Sequence, residues 1–485
     1  MKDSTNYDYD AIIIGAGISG LVCGCYLAKA GLKTLIVEKN SKVGGYCTSF
    51  TRNGFHFDAC VYSLSSFRQG GILNKIFNDF DLKSNFKLIR HDISDTIITP
   101  NYKISLFHDV EKSIGELSKS FPQQRSKIES FLKLIYFTPL ILLTKYKNFT
   151  LKDLLDLYFD NGELRTILTI ALLGYTGLPP STLSAFVAIL IFREFIFDGG
   201  YYPEGGMQRF SDALALKMIE YGGEIQTFAK VSRILLDNNQ VKGIQLESGK
   251  VFNSKLIISA CDIHETFFEL IDYSKVPKTF LEKIDRNRIS LSAFLVYLGL
   301  SKDLEPFPEL KSHTWVIANN CEDIEKIYTN LLNEQFDFIA MSSPTLKDQN
   351  MPQRVIKKES LFLFVNMMFR NKPLRDQDKI VEELITLAEE VIPDLGKFIK
   401  LQFTASPSTL YRWTLNYDGA AYGWADTISH FGDPDFSERT KIKHLFLAGH
   451  WSNKSSGVTS VANSGFLAAE SVIRESKKIK GSIRL

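Results

Sequence analysis

The chain has 485 residues, 45% of them hydrophobic and 23% charged, which is enough for more than one core and too long for a single simple one. Its 57 lysines and arginines nearly balance 55 acids, for a formal net charge of +2, so it lacks the basic excess of a nucleic-acid binder. Phenylalanine is abundant, with 36 copies beside 19 tyrosines; these aromatics either fill a large core or line a long apolar tunnel.

The opening MKDSTNYDYD is polar and acidic, unlike a secretory signal. Asp10 to Glu38 then carries the strongest local signal. The apolar run from Ala11 to Ile14 predicts a buried strand. Gly15, Gly17 and Gly20 follow at G-x-G-x-x-G spacing, then a helix-like segment, then a second apolar strand from Thr34 to Val37 ending at Glu38. Each part has a physical role in holding a dinucleotide. Gly15 allows the tight turn, Gly17 lets the backbone approach a pyrophosphate, and Gly20 lets helix and strand pack closely. The helix N-terminus turns its positive dipole end toward the phosphates, and Glu38 stands where a carboxylate can accept hydrogen bonds from a ribose. An ordinary glycine-rich turn has no reason to be bracketed in this way.

Gly44 and Gly45 follow shortly, marking backbone that passes close to something. Phe131 to Phe197 is apolar and helix-rich, interrupted by Pro139, Pro179 and Pro180. Within it, FLKLIYFTPLILLTKYK, flanked by Lys133, Lys145 and Lys147, reads either as a helix pressed on a membrane or as a buried helix with a charged end. Glu224 to Ser259 alternates apolar and polar residues, broken at Asp237-Asn238-Asn239 and Ser248-Gly249, and predicts hairpins ending in a buried strand from Leu256 to Ile258. Leu361 to Val365 predicts a strand and Asp378 to Val391 a charged helix. His444 to Ala448 predicts a strand before Gly449, followed by a helix over Ser464 to Arg474. The basic tail RESKKIKGSIRL is either a solvated end or a contact for anionic lipid.

These elements imply an α/β protein with a discontinuous, Rossmann-like dinucleotide-binding domain and an α+β substrate domain. The expected boundaries are 1–90, 205–275 and 435–485 for the first, and 91–204 with 276–434 for the second, whose helical part covers roughly 110–200. No apolar run reaches 18 residues, so no transmembrane helix is expected. Cys23, Cys25, Cys47, Cys60, Cys261 and Cys321 form no C-x-x-C and no zinc-like cluster. A reducing, cytoplasmic setting is expected, with peripheral membrane contact as an alternative.

Two features distinguish FAD from NAD. One is the Gly44-Gly45 pair. The other is the turn Leu447-Ala448-Gly449-His450-Trp451, after which Ser456-Gly457-Val458-Thr459 opens the last helix and offers backbone N–H groups to an electron-rich flavin edge. With these motifs the sequence resembles the flavin amine oxidase superfamily, and within it the phytoene desaturase, carotenoid isomerase and retinol saturase family, which implies that the discontinuous domain is an FAD-binding domain of glutathione-reductase type. The similarity spans nearly the whole chain. EKNSKVGGYCTSFTRNGFHFDACVYSL is similar to the family's E-x-x-x-x-x-G-G…G-F-x-F-D-x-G. Pro203-Glu204-Gly205-Gly206-Met207, Ser259-Ala260-Cys261-Asp262, and Ser406-Pro407-Ser408-Thr409 with Gly419-Ala420-Ala421-Tyr422-Gly423 resemble its later motifs in the same order.

The resemblance implies that Gly15, Gly17, Ile18, Ser19 and Gly20 hold the FAD pyrophosphate, with Glu38 and Lys39 at the adenosine. Gly44, Gly45 and Tyr46 would run beside the pyrophosphate and ribityl chain, and Val231 would meet the adenine through its backbone. Gly449 and His450 would lie near the ribityl chain, and Gly457, Val458 and Thr459 near the isoalloxazine. No cysteine follows Cys321, so the FAD would be noncovalent. Three departures stand out: Cys60 where the family has glycine, His450 where relatives carry an acid or amide, and Asn453-Lys454-Ser455-Ser456 in place of a Pro-Gly-Gly stretch. His450 reads as a proton-transfer group or as a hydrogen-bonding contact of the cofactor, Trp451 as packing, and Glu204 as a loop carboxylate. Neither a metal site nor a catalytic acid–base pair emerges.

The function so implied is an FAD-dependent oxidoreductase that desaturates, saturates or isomerises a lipophilic polyene or isoprenoid. Its electron partner would be oxygen, a quinone or a reductase, since only one glycine fingerprint is present. An amine oxidase and a non-catalytic lipid escort on the same fold are the alternatives.

Overall fold

The computed structural model describes residues 7–84, 86–319, 321–351, 358–369, 376–452 and 455–482. The strand Tyr9–Ile14, apolar from Ala11 onward, sits inside a parallel sheet, as that run predicts. Its Ile13 stands opposite Ile36 of Thr34–Val37 on one side and Ile258 of Val251–Ser259 on the other. Glu224–Gln226 extends the sheet past Thr34–Val37. Val251–Ser259 changes partner along its length: its first half pairs antiparallel with Gln240–Leu246, and its last residues pair parallel with Leu445–Leu447. Gln240–Leu246 returns to Val231–Asp237 through Asn238 and Asn239, both with positive φ, as a two-residue hairpin turn requires. Three distant stretches thus share one sheet. The helix Ile18–Lys29, with Cys23 and Cys25 buried in it, packs against the last helix, Gly457–Ser482. Gly465 makes this possible, since a Cβ there would lie 2.3 Å from the Ser19 carbonyl oxygen. That last helix is longer than Ser464 to Arg474, running through most of the basic tail.

A second sheet takes the order Ile399–Ala405, Ser292–Leu300, Glu359–Met367, Phe338–Ser342, His313–Ile317, Ile93–Ile98, Lys103–Phe107. Ser292–Leu300 and Glu359–Met367 are buried at every position, because both faces of the sheet are covered. The helix Gly162–Thr176 covers part of one face. Asn161 caps it by accepting from the Leu164 N–H at 2.8 Å, and Gly177 ends it at φ +67°. Gly174 lets it approach closely, since a Cβ there would lie 2.1 Å from the Trp315 ring. This contact sets Tyr175 beside His313. Phe50, Phe57, Tyr297 and Phe403 stack in the same core.

The FLKLIYFTPLILLTKYK stretch is buried at its start and exposed around its middle. The helix Arg125–Phe137 buries Ile128, Phe131, Leu132 and Ile135, at helical spacing. It stops before Pro139, which cannot donate to the ladder, and Leu140–Leu143 resumes. Tyr136, Phe137, Leu140, Ile141 and Leu142 stay exposed around this break, Ile141 at 75% and Phe137 at 60%. Among the described residues, no helix is long and apolar enough to cross a membrane. All six cysteines are free thiols.

Candidate functional site

The cavity that gathers the predicted residues begins at the C-terminal ends of the parallel strands, where Ile14 and Val37 line it. It runs to the second sheet, where Leu295, His313 and Phe364 line it. Ligands of open parallel sheets sit outside such strand ends.

One end is built almost wholly from backbone. Gly15 turns the chain at φ +101°. Gly17 and Gly44 form an isolated parallel bridge, and the Gly44 N–H donates to the Ala16 carbonyl at 2.7 Å. A Cβ on Gly17 would meet nothing within 4 Å, and one on Gly45 would lie 3.4 Å from the Gly17 Cα. The two glycines therefore edge an open cradle. Gly17 caps Ile18–Lys29 without a side-chain bond, leaving first-turn N–H groups for a ligand anion. Ile18 and Ser19 line this end, and Gly449, at φ +112°, faces the Ser19 hydroxyl. Gly20 does not line the cavity; a Cβ there would lie 2.1 Å from the Gly15 carbonyl oxygen, so its part is helix–strand packing.

Glu38 is buried and held by two backbone donors, Ala16 N–H at 2.9 Å and Asn40 N–H at 2.8 Å. Its carboxylate keeps lone pairs for further donors. Val231 lines the same end with Ala229 and Lys230. The C-terminal turn of the helix Pro407–Thr414 closes over it. Lys39 Nζ donates to the Arg412 carbonyl at 2.9 Å, and Asn40 Nδ2 to the Trp413 carbonyl at 3.0 Å. Burial lowers the Lys39 pKa.

In the middle, Tyr46 donates to the Ala420 carbonyl at 3.1 Å and accepts from Asn416 Nδ2 at 3.2 Å. Asn416 Oδ1 accepts from Trp451 Nε1 at 2.9 Å and lies 3.4 Å from His450 Nε2. Trp451 is 2% exposed, as a packing residue should be. Burial drives the His450 pKa down to about 4, outweighing the nearby Asp262 charge. The imidazole is therefore neutral at physiological pH, with Nε2 within reach of Asn416 Oδ1. Burial also pushes the Cys60 thiol to about 12, so it is no nucleophile.

Gly457 and Val458 line the cavity at the start of the last helix, Gly457 at φ +84° and close against Phe195. Thr459 turns away: its hydroxyl is 2.6 Å from that of Ser65. Ser455 donates to Asp426 at 2.9 Å. Asn453 and Lys454 lie outside the described residues. Glu204 accepts from Asn350 Nδ2 at 2.9 Å and stands apart from the cavity.

The far part is lined by Cys60, Tyr62, Tyr175, Phe195, Leu295, His313, Phe364 and Tyr422. Apart from Cys60, Tyr62 and Tyr422, which fall in the quoted stretches, no sequence motif singled these out; they sit in ordinary-looking strands and helices. Among the described residues, two acids line the cavity, Glu38 and Glu265, and Glu265 faces Lys230 and Lys39 at the other end.

This arrangement fits a flavin dinucleotide. It offers a side-chain-free cradle for a pyrophosphate, a fixed carboxylate for a ribose, and a second helix start for the electron-rich ring.

Residues 18–473 match the model of a protein family described as flavin containing amine oxidoreductase. The chain is 26% identical over 515 residues to the chloroplastic prolycopene isomerase of Daucus carota, covering 96% of this chain and 80% of that protein. It is 24% identical to the all-trans-retinol 13,14-reductase of Danio rerio, with 91% and 82% covered. Its fold is similar to that of an oxidoreductase from Methanosarcina mazei, with a TM-score of 0.67 at 18% identity and 95% and 99% of the two chains covered.

Proposed function

The chain belongs to the flavin containing amine oxidoreductase family and uses FAD, and we propose that its substrate is a lipophilic polyene or isoprenoid, altered at a carbon–carbon bond. The observation that carries this reading is the lining of the far part of the cavity. It is mostly apolar and aromatic, and among the described residues no carboxylate lines it to draw in the ammonium form of an amine. The names of the relatives, a prolycopene isomerase and a retinol reductase, point the same way.

In this reading the stretches 1–90, 205–275 and 435–485 form the FAD-binding domain, and 91–204 with 276–434 the substrate domain. The FAD is noncovalent. It supplies the hydride acceptor for desaturation, the donor for saturation, or reducing equivalents that assist isomerisation. The protein's part is positional. Gly15, Gly17, Ile18, Ser19, Gly44 and Gly45 cradle the pyrophosphate. Glu38, Lys39 and Val231 hold the adenosine end. Tyr46, Gly449 and neutral His450 flank the ribityl chain. The N–H groups at Gly457 and Val458 stabilise negative charge at the flavin edge, while the apolar walls exclude water. Oxygen, a quinone or a separate reductase completes the electron balance.

A bilayer is the source of such a substrate. Tyr136, Phe137, Leu140, Ile141 and Leu142 form an exposed apolar knuckle, with Lys145 and Lys147 beside it for anionic headgroups. The knuckle packs on the segment Phe192–Phe197: the Tyr136 and Phe197 ring centroids are 5.2 Å apart, and Arg193 donates to the Ile135 and Thr138 carbonyls. Phe195 of that segment lines the cavity. We place the protein at the cytoplasmic face of a membrane.

Anaerobic addition of a polyene to the purified holoprotein should change the flavin spectrum, while benzylamine or putrescine should not. A protein that stays colourless after incubation with FAD would favour the escort alternative.

A further inference from the structure

Behind the far wall of the cavity lies a buried polar cluster that the FAD site does not use. Asp95, fully buried in the strand Ile93–Ile98, accepts through Oδ1 from the Tyr175 hydroxyl and from Trp315 Nε1, both at 2.8 Å. The Tyr175 oxygen also bonds His313 Nδ1. His313 is 5% exposed, yet lines the cavity.

The proton inventory fixes the imidazole. Tyr175 has one hydroxyl proton, and a carboxylate oxygen can only accept, so that proton goes to Asp95. The Tyr175 oxygen must then accept from His313, which places the ring proton on Nδ1. Burial lowers the His313 pKa, with Asp95 opposing, so the ring is neutral. Nε2 is left with a bare lone pair and makes no hydrogen bond among the described residues. The ring is fixed on its other side too: Tyr62 packs edge-on, with ring centroids 4.3 Å apart, and the Tyr62 carbonyl accepts from buried Lys347 Nζ at 2.6 Å.

A fixed acceptor in the cavity wall is matched by a ligand donor, and a ligand without one leaves it unpaired. We propose that His313 Nε2 accepts a hydrogen bond from a hydroxyl on the substrate, so that this chain takes a polyene alcohol in preference to a polyene hydrocarbon. His313 is then a specificity-determining residue, oriented by Tyr175 and Asp95 as positioning residues. Phe195 links this acceptor to the flavin end: its ring lies 5.6 Å from that of Tyr175 and abuts Gly457. The inference rests on the polyene reading above and narrows it.

The test measures binding to the holoprotein, under anaerobic conditions, by quenching of tryptophan fluorescence. The probes share one skeleton: all-trans-retinol, its methyl ether, and the hydrocarbon with hydrogen in place of the hydroxyl. Retinol should bind about tenfold more tightly than the other two, as one hydrogen bond warrants. In His313→Phe the three affinities should converge within about twofold, with His313→Leu as the second apolar replacement. His313→Gln, which keeps an acceptor, should retain the preference. Equal affinities of the three probes for the unaltered protein overturn the assignment whatever the variants do, and leave the polyene reading standing. A preference that survives in His313→Phe also overturns it. Binding by none of the three overturns both.

Discussion

Gly17 and Gly44 meet as a parallel bridge between the first strand–helix turn and the loop after the second strand, and the space in front of Gly17 is empty to 4 Å. The bridge brings two side-chain-free stretches to one edge, as a doubly charged pyrophosphate needs.

Gly17→Val should therefore fold and yet lose its flavin. No protein atom opposes the new side chain, but it fills the cradle. FAD affinity should fall by tenfold or more, at least about 1.4 kcal/mol, read as absorbance at 450 nm per mole of purified protein. Gly20→Ala should do the reverse. Its Cβ would lie 2.1 Å from a backbone oxygen, so stability should drop by about 1–3 kcal/mol as strain. A fully yellow Gly17→Val would mean the cofactor lies elsewhere.

Asp426 gives the fold a pH dependence of known sign. Burial raises its pKa from 3.8 to about 7, with the Ser455 hydrogen bond opposing. Between pH 4 and 7, roughly the span of those two values, the folded chain holds a proton that the unfolded chain has lost, so stability falls as pH rises through that window. Each pKa unit is worth about 1.4 kcal/mol. Asp426→Asn should flatten this slope and raise Tm at pH 8 while changing it little at pH 4. A variant less stable than the parent at pH 8 would show that the carboxylate is held by something stronger than burial.

His450 should stay neutral over the whole working range. Its ring, pushed down to about 4, should show no protonation midpoint above pH 5 in nitrogen-15 spectra of the holoprotein. A midpoint of 6–7 would restore it as a candidate proton donor.

The knuckle at Tyr136–Leu142 should mediate lipid contact. Phe137→Ser with Ile141→Asp changes two residues that are 60% and 75% exposed, so flavin content should hold. Co-sedimentation with anionic phosphatidylglycerol vesicles should fall by about tenfold or more. A parent protein that never sediments with vesicles removes the membrane contact from the account.

The parts of this molecule legible in the sequence are those where chemistry dictates backbone. The strand–glycine–helix–strand unit could be read because the tight turn at Gly15 and the helix–strand approach at Gly20 restrict residue type. The discontinuous sheet followed from apolar runs that only buried strands explain. The helix end over Lys39 and Asn40 could not be read, because it acts through the carbonyls of Arg412 and Trp413, which any residue supplies. His313 was equally hidden. It looks like one polar residue in the strand His313–Ile317, and its partners come from distant stretches, Asp95 from the neighbouring strand and Tyr175 from the helix Gly162–Thr176. The aromatic abundance divided between both expected uses: Phe57 and Phe403 pack a core, while Phe195 and Phe364 line the cavity.

The central claim, that the far part of the cavity presents a polyene to FAD, is tested most directly by anaerobic single-turnover spectroscopy of the holoprotein. Oxidised and dithionite-reduced forms are mixed with all-trans-retinol and with a prolycopene-like cis-polyene. The account predicts that one form changes its flavin absorbance while the polyene spectrum shifts, and that benzylamine and putrescine leave both forms unchanged. Rapid flavin bleaching by an amine, with the polyenes inert toward both forms, would contradict it.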